Sequence, residues 1–342
     1  MNKARFVLSR SKVIEQYNKL KAIDADISYS FKTNEEVGKV LEEETGCLFS
    51  VHFENDLPFL KDKSRVIFLA QGLNEEQLNR LFSFGINKFV VDNLVDLDTL
   101  TRYIEKNNKK ILLLLRMKLK ENTIHTGKYF VFGMESKLIN EKIIELKNNK
   151  NIEKIGIHVH RKTQNVSEWS LKYELSEALD EKTLKLLDIV CIGGGIPGNY
   201  KNVSDKSIEY VFNKIAEVKE WLSSYNIKTL IEPGRFLAAY PVTLETEIIN
   251  IVGNTIIVNC SVYNSAMDTI IVPIKLLVKG ELEGGEAYTI KGYTPCSLDI
   301  FRYKVFLKNP KIGDKIIFLN AGAYNFSTDF CNLEKLETII VD

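Results

Sequence analysis

The sequence predicts a (β/α)8 TIM-type barrel joined to a C-terminal all-β domain, and three observations carry that prediction. Eight short runs of apolar and β-branched residues recur, at 27–31, 47–51, 66–70, 88–91, 111–115, 155–159, 189–192 and 229–231. Amphipathic stretches lie between them, and strand–helix alternation is the pattern of a parallel sheet with helical crossovers. Beyond about residue 236 the helical pattern stops, and strand-like segments follow one another. Eight alternations favour closure into a barrel; an open doubly wound sheet is the alternative.

Taken in order, residues 5–8 are strand-like and could join the later β region, which would leave the barrel inserted between two parts of it. The segment NEEQLNRLFSFG has an Asn cap and a terminal Gly, so it reads as a helix. LVDLDTLTRYIEKN shows 3.6-residue spacing, and SDKSIEYVFNKIAEVKEWLSS opens on a Ser cap and carries a long apolar stripe. In the last third, VTLETEIINIV, TIIVNCSVY, TIIVPIKLLV, EAYTIKGY, DKIIFLN and ETIIVD are strand-like. Turns such as Val252-Gly-Asn and Glu283-Gly-Gly separate them. The division expected is a barrel over 9–235 and a β domain formed from 1–8 and 236–342.

Composition narrows the function. The 342 residues are 45% hydrophobic and 27% charged, which describes an ordinary globular protein. Forty-six basic and 45 acidic residues leave a net charge of +1, so there is no general electrostatic case for nucleic acid or an anionic membrane. Five cysteines without a CxxC pair, beside four histidines, argue against a structural metal site or a disulfide framework. No apolar run reaches the ~18 residues of a membrane helix, and MNKARFVLSRSKV lacks the apolar core of a signal peptide. A cytoplasmic protein is expected.

In a barrel, functional residues gather at the C-terminal ends of the strands, often with a phosphate near the loops after strands 7 and 8. Four groups fall there. Lys32, within YSFKTN, follows the first strand; His158 and His160 end the sixth; GGGIPG (193–198) follows the seventh; and EPGR (232–235) follows the eighth. Glycines let backbone N–H groups approach a phosphate, and an Arg binds one as a fork. A lysine, a phosphate nest, a ring-stacking histidine and a carboxylate together suit pyridoxal 5'-phosphate. The lysine forms a Schiff base, and the carboxylate keeps the pyridine nitrogen protonated so that the ring draws electrons. A Rossmann nucleotide site is the competing reading of GGGIPG. Pro197 interrupts that turn, however, and the acidic residue about 20 positions on, Glu217, lies inside a helical stretch.

These motifs carry a resemblance over nearly the whole chain. YSFKTN, IGIHVHRKTQ, CIGGGIPG, IEPGR, YTPCSLDIF and NAGAYNFS follow the order of motifs in the fold-type III pyridoxal-phosphate-dependent decarboxylases. That family includes ornithine, arginine, diaminopimelate and carboxynorspermidine decarboxylases and is related to alanine racemase. The resemblance implies that Lys32 holds the cofactor, His160 stacks on its ring and Glu232 pairs with the pyridinium nitrogen. It implies that Gly194, Gly195, Arg235 and Tyr324 hold the phosphate, with Thr163 near the cofactor. It implies further that Cys296, with Asp299 beside it, comes from the partner subunit of a homodimer and returns a proton after CO2 leaves. The β domain of one copy would thereby complete the active site of the other. His158 is read as pointing to the other face of its strand, with a structural role.

The departures bear on substrate. The cysteine motif reads Cys296-Ser297-Leu298-Asp299, without the acidic residue that many relatives carry directly after the cysteine. Where ornithine-type enzymes place an Asp after a Tyr, this chain has Asn264 after Tyr263, and an amide binds a distal ammonium less well than a carboxylate does. No Arg stands in that stretch for a second carboxylate. The CSLD spacing, Asp268 and Pro273 resemble the carboxynorspermidine branch, and suit natural-product decarboxylases of the microcin C type acting on peptide or nucleotide intermediates. The expected substrate carries a 3-amino-3-carboxypropyl arm that becomes 3-aminopropyl, with Tyr263, Asn264, Asp268 and Asp299 as substrate contacts. The alternatives are a decarboxylase of ornithine, lysine, arginine or diaminopimelate, a racemase, against which Glu232 argues, and a non-catalytic pyridoxal-phosphate-binding protein.

Overall fold

The structure, a computed structural model, describes residues 3–119, 132–203 and 205–342. Its centre is a closed barrel of eight parallel strands: β2 (Asp26–Ser30), β3 (Leu48–Val51), β4 (Val66–Ala70), β5 (Lys88–Val91), β6 (Ile111–Arg116), β7 (Ile152–His158), β8 (Ile189–Cys191) and β9 (Lys228–Ile231). Each strand falls on one of the eight apolar runs, and β9 pairs back onto β2 through Asp26↔Leu230 and Ile27↔Ile231. The open-sheet alternative is thereby excluded. An inner cluster of Ile67, Val90, Leu114, Ile189, Cys191 and Leu230 is packed apart from the main core that the strands share with the surrounding helices. These runs read as near-continuous apolar segments because both faces of a parallel barrel strand are covered.

The crossover helices obey the capping chemistry of the sequence. Asn74 caps the helix Glu75–Ser83 by accepting the Gln77 N–H at 2.9 Å, and Asn93 caps Leu94–Lys106 by accepting that of Asp96. The long helix Asp205–Ser223 is present, and Ser204, its expected cap, lies outside the described residues.

The remaining strands are β1 (Arg5–Ser9), β10 (Val242–Val252), β11 (Thr255–Val258), β12 (Leu277–Val278), β13 (Ala287–Lys291), β14 (Ile300–Phe306), β15 (Lys315–Leu319) and β16 (Glu337–Val341). They form one eight-stranded sheet organised on β10, which pairs antiparallel with β1, β15 and β11. β1 also runs parallel to β16, so the two ends of the chain meet in this sheet while the barrel strands lie between β1 and β10.

One segment departs from expectation. TIIVPIKLLV (269–278) and the end of TIIVNCSVY (255–263) read as strands, but the chain makes the short helices Val262–Ser265 and Asp268–Ile271 there, and of residues 269–278 only Leu277–Val278 pairs as strand. The cause is local. Ser261 and Asn264 form a capping box that starts the first turn, and Pro273 cannot donate to a ladder.

The barrel is tight where β7 meets β8. A Cβ on Gly156 would lie 2.2 Å from the Ile189 carbonyl oxygen and 2.7 Å from Leu114 Cδ2. Gly156→Ala is therefore expected to cost about 2 kcal/mol or more, as overpacking against backbone does. An unfolding midpoint equal to wild type in urea would show that the two strands have room to part.

Candidate active site

At the C-terminal ends of the barrel strands lies a cavity of about 670 Å³ whose lining includes Lys32, His52, Arg116, His158, His160 and Glu232. Lys32 sits in a single 3-10 turn, Phe31–Thr33, directly after β2, and this turn aims it across the barrel mouth. Solvent reaches its side chain, yet the cavity walls strip away enough water to lower its pKa. Arg116 adds to that lowering, and the Glu232 charge opposes it.

Glu232 follows β9 and is buried. One carboxylate oxygen accepts from Ser50 Oγ at 2.7 Å, and the other lies 2.9 Å from His158 Nε2. Ser50 in turn shares a 2.7 Å hydrogen bond with Ser28. Burial alone would favour the neutral acid, but His158, Ser50 and His160 outweigh it and hold the carboxyl well below the usual carboxylate range. The surroundings therefore favour the carboxylate form of Glu232. The Cys191 thiol beside it is pushed well above its ordinary value, first by burial and then by the Glu232 charge.

His158 does not point away from His160. The two rings lie nearly parallel, 6° apart in tilt with centroids 6.4 Å apart, and both line the cavity. Positions two apart on extended backbone share a face, so the same period that describes the strand places both histidines in the site. Burial pushes His160 down to about 3, with His158 adding to the effect, and its ring is a neutral flat surface at ordinary pH.

The glycine loop closes over this wall. A Cβ on Gly193 would lie 2.3 Å from Val159 O, and one on Gly194 would lie 2.7 Å from Glu232 O. Gly193 and Gly195 have φ of +68° and +92°, in the region that favours glycine. The Gly194 N–H donates to His160 Nδ1 at 3.2 Å, which orients that ring. Arg235 lies buried alongside, and most of its guanidinium N–H groups are already engaged. It donates to Thr163 Oγ1, to Tyr200 Oη and, through both terminal nitrogens, to Asp268. The Tyr324 ring lies 5.1 Å from its central carbon.

Three expected substrate contacts are committed elsewhere. Asp268 is buried in the ion pair with Arg235. Asn264 accepts the Ser261 N–H and donates to Glu334 O, as part of the capping box. Asp299 is fully buried and accepts the N–H groups of Val262 and Thr294 together with the Thr294 hydroxyl. Asn264 and Asp299 meet backbone needs inside the fold and Asp268 meets a buried arginine, pairings that sequence alone does not reveal. Tyr263 remains accessible. Its hydroxyl lies 2.9 Å from Cys296 Sγ and its ring stacks on Phe330 at 4.0 Å. Donation to sulfur favours the thiolate of Cys296 and pushes the Tyr263 phenol up to about 12. Neither residue lines the cavity of its own chain that holds Lys32.

Four site residues carried no motif: His52, Ser50, Asp92 and Arg116. Asp92 and Arg116 form an ion pair at 3.3 Å, and the Phe132 ring covers the guanidinium. A hydroxyl inside an apolar barrel strand was the available signal for Ser50, and a charge at the end of β6, the fifth barrel strand, was the signal for Arg116.

Comparison with known proteins agrees with this geometry. Residues 10–239 match the family model described as "Pyridoxal-dependent decarboxylase, pyridoxal binding domain". A probable ornithine decarboxylase of Dictyostelium discoideum is 23% identical over 332 residues, covering 88% of this chain and 70% of that protein. The 2-[(L-alanin-3-ylcarbamoyl)methyl]-2-hydroxybutanedioate decarboxylase of Staphylococcus aureus is 25% identical over 207 residues, covering 56% of this chain and 51% of that one. The crystal structure of diaminopimelate decarboxylase from Helicobacter pylori, complexed with L-lysine, superposes with a TM-score of 0.83 at 19% identity, covering 100% of this chain and 92% of that chain, which shows a shared fold. The chain belongs to the pyridoxal-dependent decarboxylase family, with that family's cofactor and reaction class.

The depressed Glu232 group makes a pH prediction. Its contribution to stability is fully present above the ordinary glutamate pKa of 4.5 and is lost as pH falls below it. Wild type should therefore lose stability more steeply than Glu232→Gln below about pH 5, as read by urea unfolding across pH. Parallel acid limbs would show that Glu232 titrates normally.

Proposed function

We propose that this chain removes the α-carboxylate of an amino-acid substrate that carries a 3-amino-3-carboxypropyl arm, leaving a 3-aminopropyl arm. The observation that carries the reading is one cavity in which Lys32, His160 and Glu232 converge beside a glycine cradle. The residues fit pyridoxal phosphate. They supply an accessible amine, a buried carboxylate for the ring nitrogen, a flat imidazole ring, and backbone at Gly193, Gly194 and Gly195 too close to neighbouring carbonyls to admit a Cβ. Lys32 would hold the cofactor covalently, Glu232 would keep the ring nitrogen protonated and His160 would cover one face. Gly194, Gly195, Thr163 and Tyr324 would surround the phosphate. Arg235 would approach it only with what Asp268 leaves of its charge.

The bound cofactor supplies an electron sink for the pair left behind as CO2 departs. The protein's own part is to orient and to move protons. Arg116 puts positive charge at the cavity wall, where a substrate carboxylate can be received. Lys32 Nζ, lowered by desolvation, is available as an amine to release the product. Cys296, as its thiol, would deliver a proton to the carbon that has lost CO2, and the Tyr263 hydroxyl would then stabilise the thiolate left behind. Cys296 would do so from a second copy of the chain, because in its own chain it does not line the cavity. A homodimer with shared sites follows from that reading. Cys296 lies near the exposed apolar Leu298, Tyr293 and Phe330, a face that suits such an interface. Five unpaired cysteines support a cytoplasmic setting, and no helix among the described residues is long and apolar enough to cross a membrane.

Among the described residues, each carboxylate lining the cavity is engaged: Glu232 by His158 and Ser50, Asp92 by Arg116, and Glu54 by Arg80. A distal ammonium would find no free partner among these, which supports a neutral or anionic substrate body over a polyamine. The Staphylococcus relative is in keeping with this, since the compound it is named for has an amino-acid head joined by an amide to a dicarboxylate. The second reading is a diamino acid such as ornithine or diaminopimelate, favoured by the similarity to the Dictyostelium and Helicobacter proteins.

Borohydride reduction of the purified protein should bleach its visible absorbance and leave a pyridoxyl mass on the peptide containing Lys32. A colourless protein that added cofactor cannot colour would overturn the reading. Lys32→Ala and Cys296→Ala should each be inactive or slowed by about 100-fold, and mixing the two should restore partial CO2 release, because a hybrid dimer holds one intact site. No recovery in hybrids verified by mass would place Cys296 outside its partner's site.

A further inference from the structure

The structure sets a second basic side chain against Lys32. His52 directly follows β3, and its Nε2 lies 3.3 Å from Lys32 Nζ, while its Nδ1 is buried without a partner among the described residues. The titratable groups around it among the described residues are Lys32, Glu54, Asp92, Arg116, His158, His160, Lys162 and Glu232. Glu54 is held by Arg80, Asp92 by Arg116, and both Glu232 oxygens are bonded to Ser50 and His158. Among the described residues, each carboxylate near His52 already has a partner of its own. Two cations at this separation between low-dielectric walls repel strongly, so His52 stays neutral. Burial, with Lys32 adding, pushes it down to about 3 against the pull of Glu232.

Lys32 has one other attractive neighbour, the charge on Glu232, which pulls its pKa upward. A direct Lys32–Glu232 ion pair would disable both groups. An ammonium has no lone pair with which to attack, and a carboxylate bonded to lysine is less available to a ring nitrogen. We propose that His52 is a positioning residue that takes the hydrogen bond of Lys32 Nζ and so holds the amine off Glu232 as a free nucleophile. A neutral ring suits the task. It offers Nζ a partner at hydrogen-bond distance without supplying the negative charge that would fix the ammonium form. The proposal rests on the reading of Lys32 as the cofactor's anchor.

The test uses the full-length protein, stripped of cofactor with hydroxylamine and reloaded. The rate at which added pyridoxal phosphate becomes fixed to Lys32 by borohydride is followed against pH by peptide mass. His52→Leu should raise the pH midpoint of capture by about one unit, equivalent to roughly tenfold slower capture at neutral pH. His52→Gln keeps a polar partner for Nζ and should recover both. A folded His52→Leu protein with the wild-type midpoint and rate would overturn the proposal. Should the leucine variant fail to fold, imidazole 15N spectra of wild type and Lys32→Met decide. A shifted His52 Nε2 resonance supports the contact, and an unshifted one overturns it. Wild type that never captures cofactor at Lys32 would overturn the functional reading itself, which sets that failure apart from this one.

Discussion

The buried Glu232 carboxylate constrains everything around it. A charge of this kind is tolerated in a protein interior only when its oxygens are met by donors and by a compensating partner. Here the donors come from different strands: Ser50 from β3 and His158 from β7, with Ser28 on β2 extending the chain of hydroxyls. These partners can reach Glu232 only if the sheet is closed, since β9 and β2 must pair to bring β3 across from β7. Barrel closure and the charge state of the site are therefore one structural fact seen at two scales. The same pairing explains the two hydroxyls inside otherwise apolar strands. They line the inner face beneath the carboxylate, where apolar side chains would leave it unsatisfied.

A second constraint is the attachment of the eight-stranded sheet to the barrel mouth. The Arg235–Asp268 ion pair joins the loop after β9 to the helical turn after β11, with both partners buried. Asn34 donates to the carbonyl of Gly322, and the N–H of Tyr324 donates to Thr33 O, so the turn that presents Lys32 is tied to the segment after β15. Tyr324 takes a positive φ there, at +52°, a conformation that costs a non-glycine residue some backbone strain. The lysine turn is thus gripped from both sides, by the barrel strand that precedes it and by the sheet that covers it. Precise placement of a reactive amine depends on such support.

The Arg235–Asp268 pair also changes how an anion would be held. An arginine whose guanidinium is already met by a carboxylate, a phenol and a hydroxyl contributes shape more than net charge. Recognition of a phosphate beside it then leans on backbone N–H groups and on the space that the glycine loop leaves. The cysteine region shows a parallel economy. Asp299 is absorbed into holding three donors, and Cys296 is left with Tyr263.

Much of this was legible in the sequence, for reasons of locality. Strand position and helix caps are set by neighbours within a few residues. The eight barrel strands and the Asn74 and Asn93 caps could therefore be read directly, and Lys32, His160, the glycine loop and Glu232 could be placed at strand ends. What the tertiary structure alone decided is which polar side chain answers which distant need. Asn264, Asp268 and Asp299 carry the chemistry of ligand contacts, yet each is spent on a backbone group or a buried arginine brought close by folding. His52 and Ser50 belong to no motif, yet they stand against Lys32 and Glu232 because parallel strands in a closed barrel set residues 20 and 182 positions apart within hydrogen-bonding distance. A side chain's type is written in the sequence, but its partner is a matter of distance, and distance exists only after the chain has closed on itself.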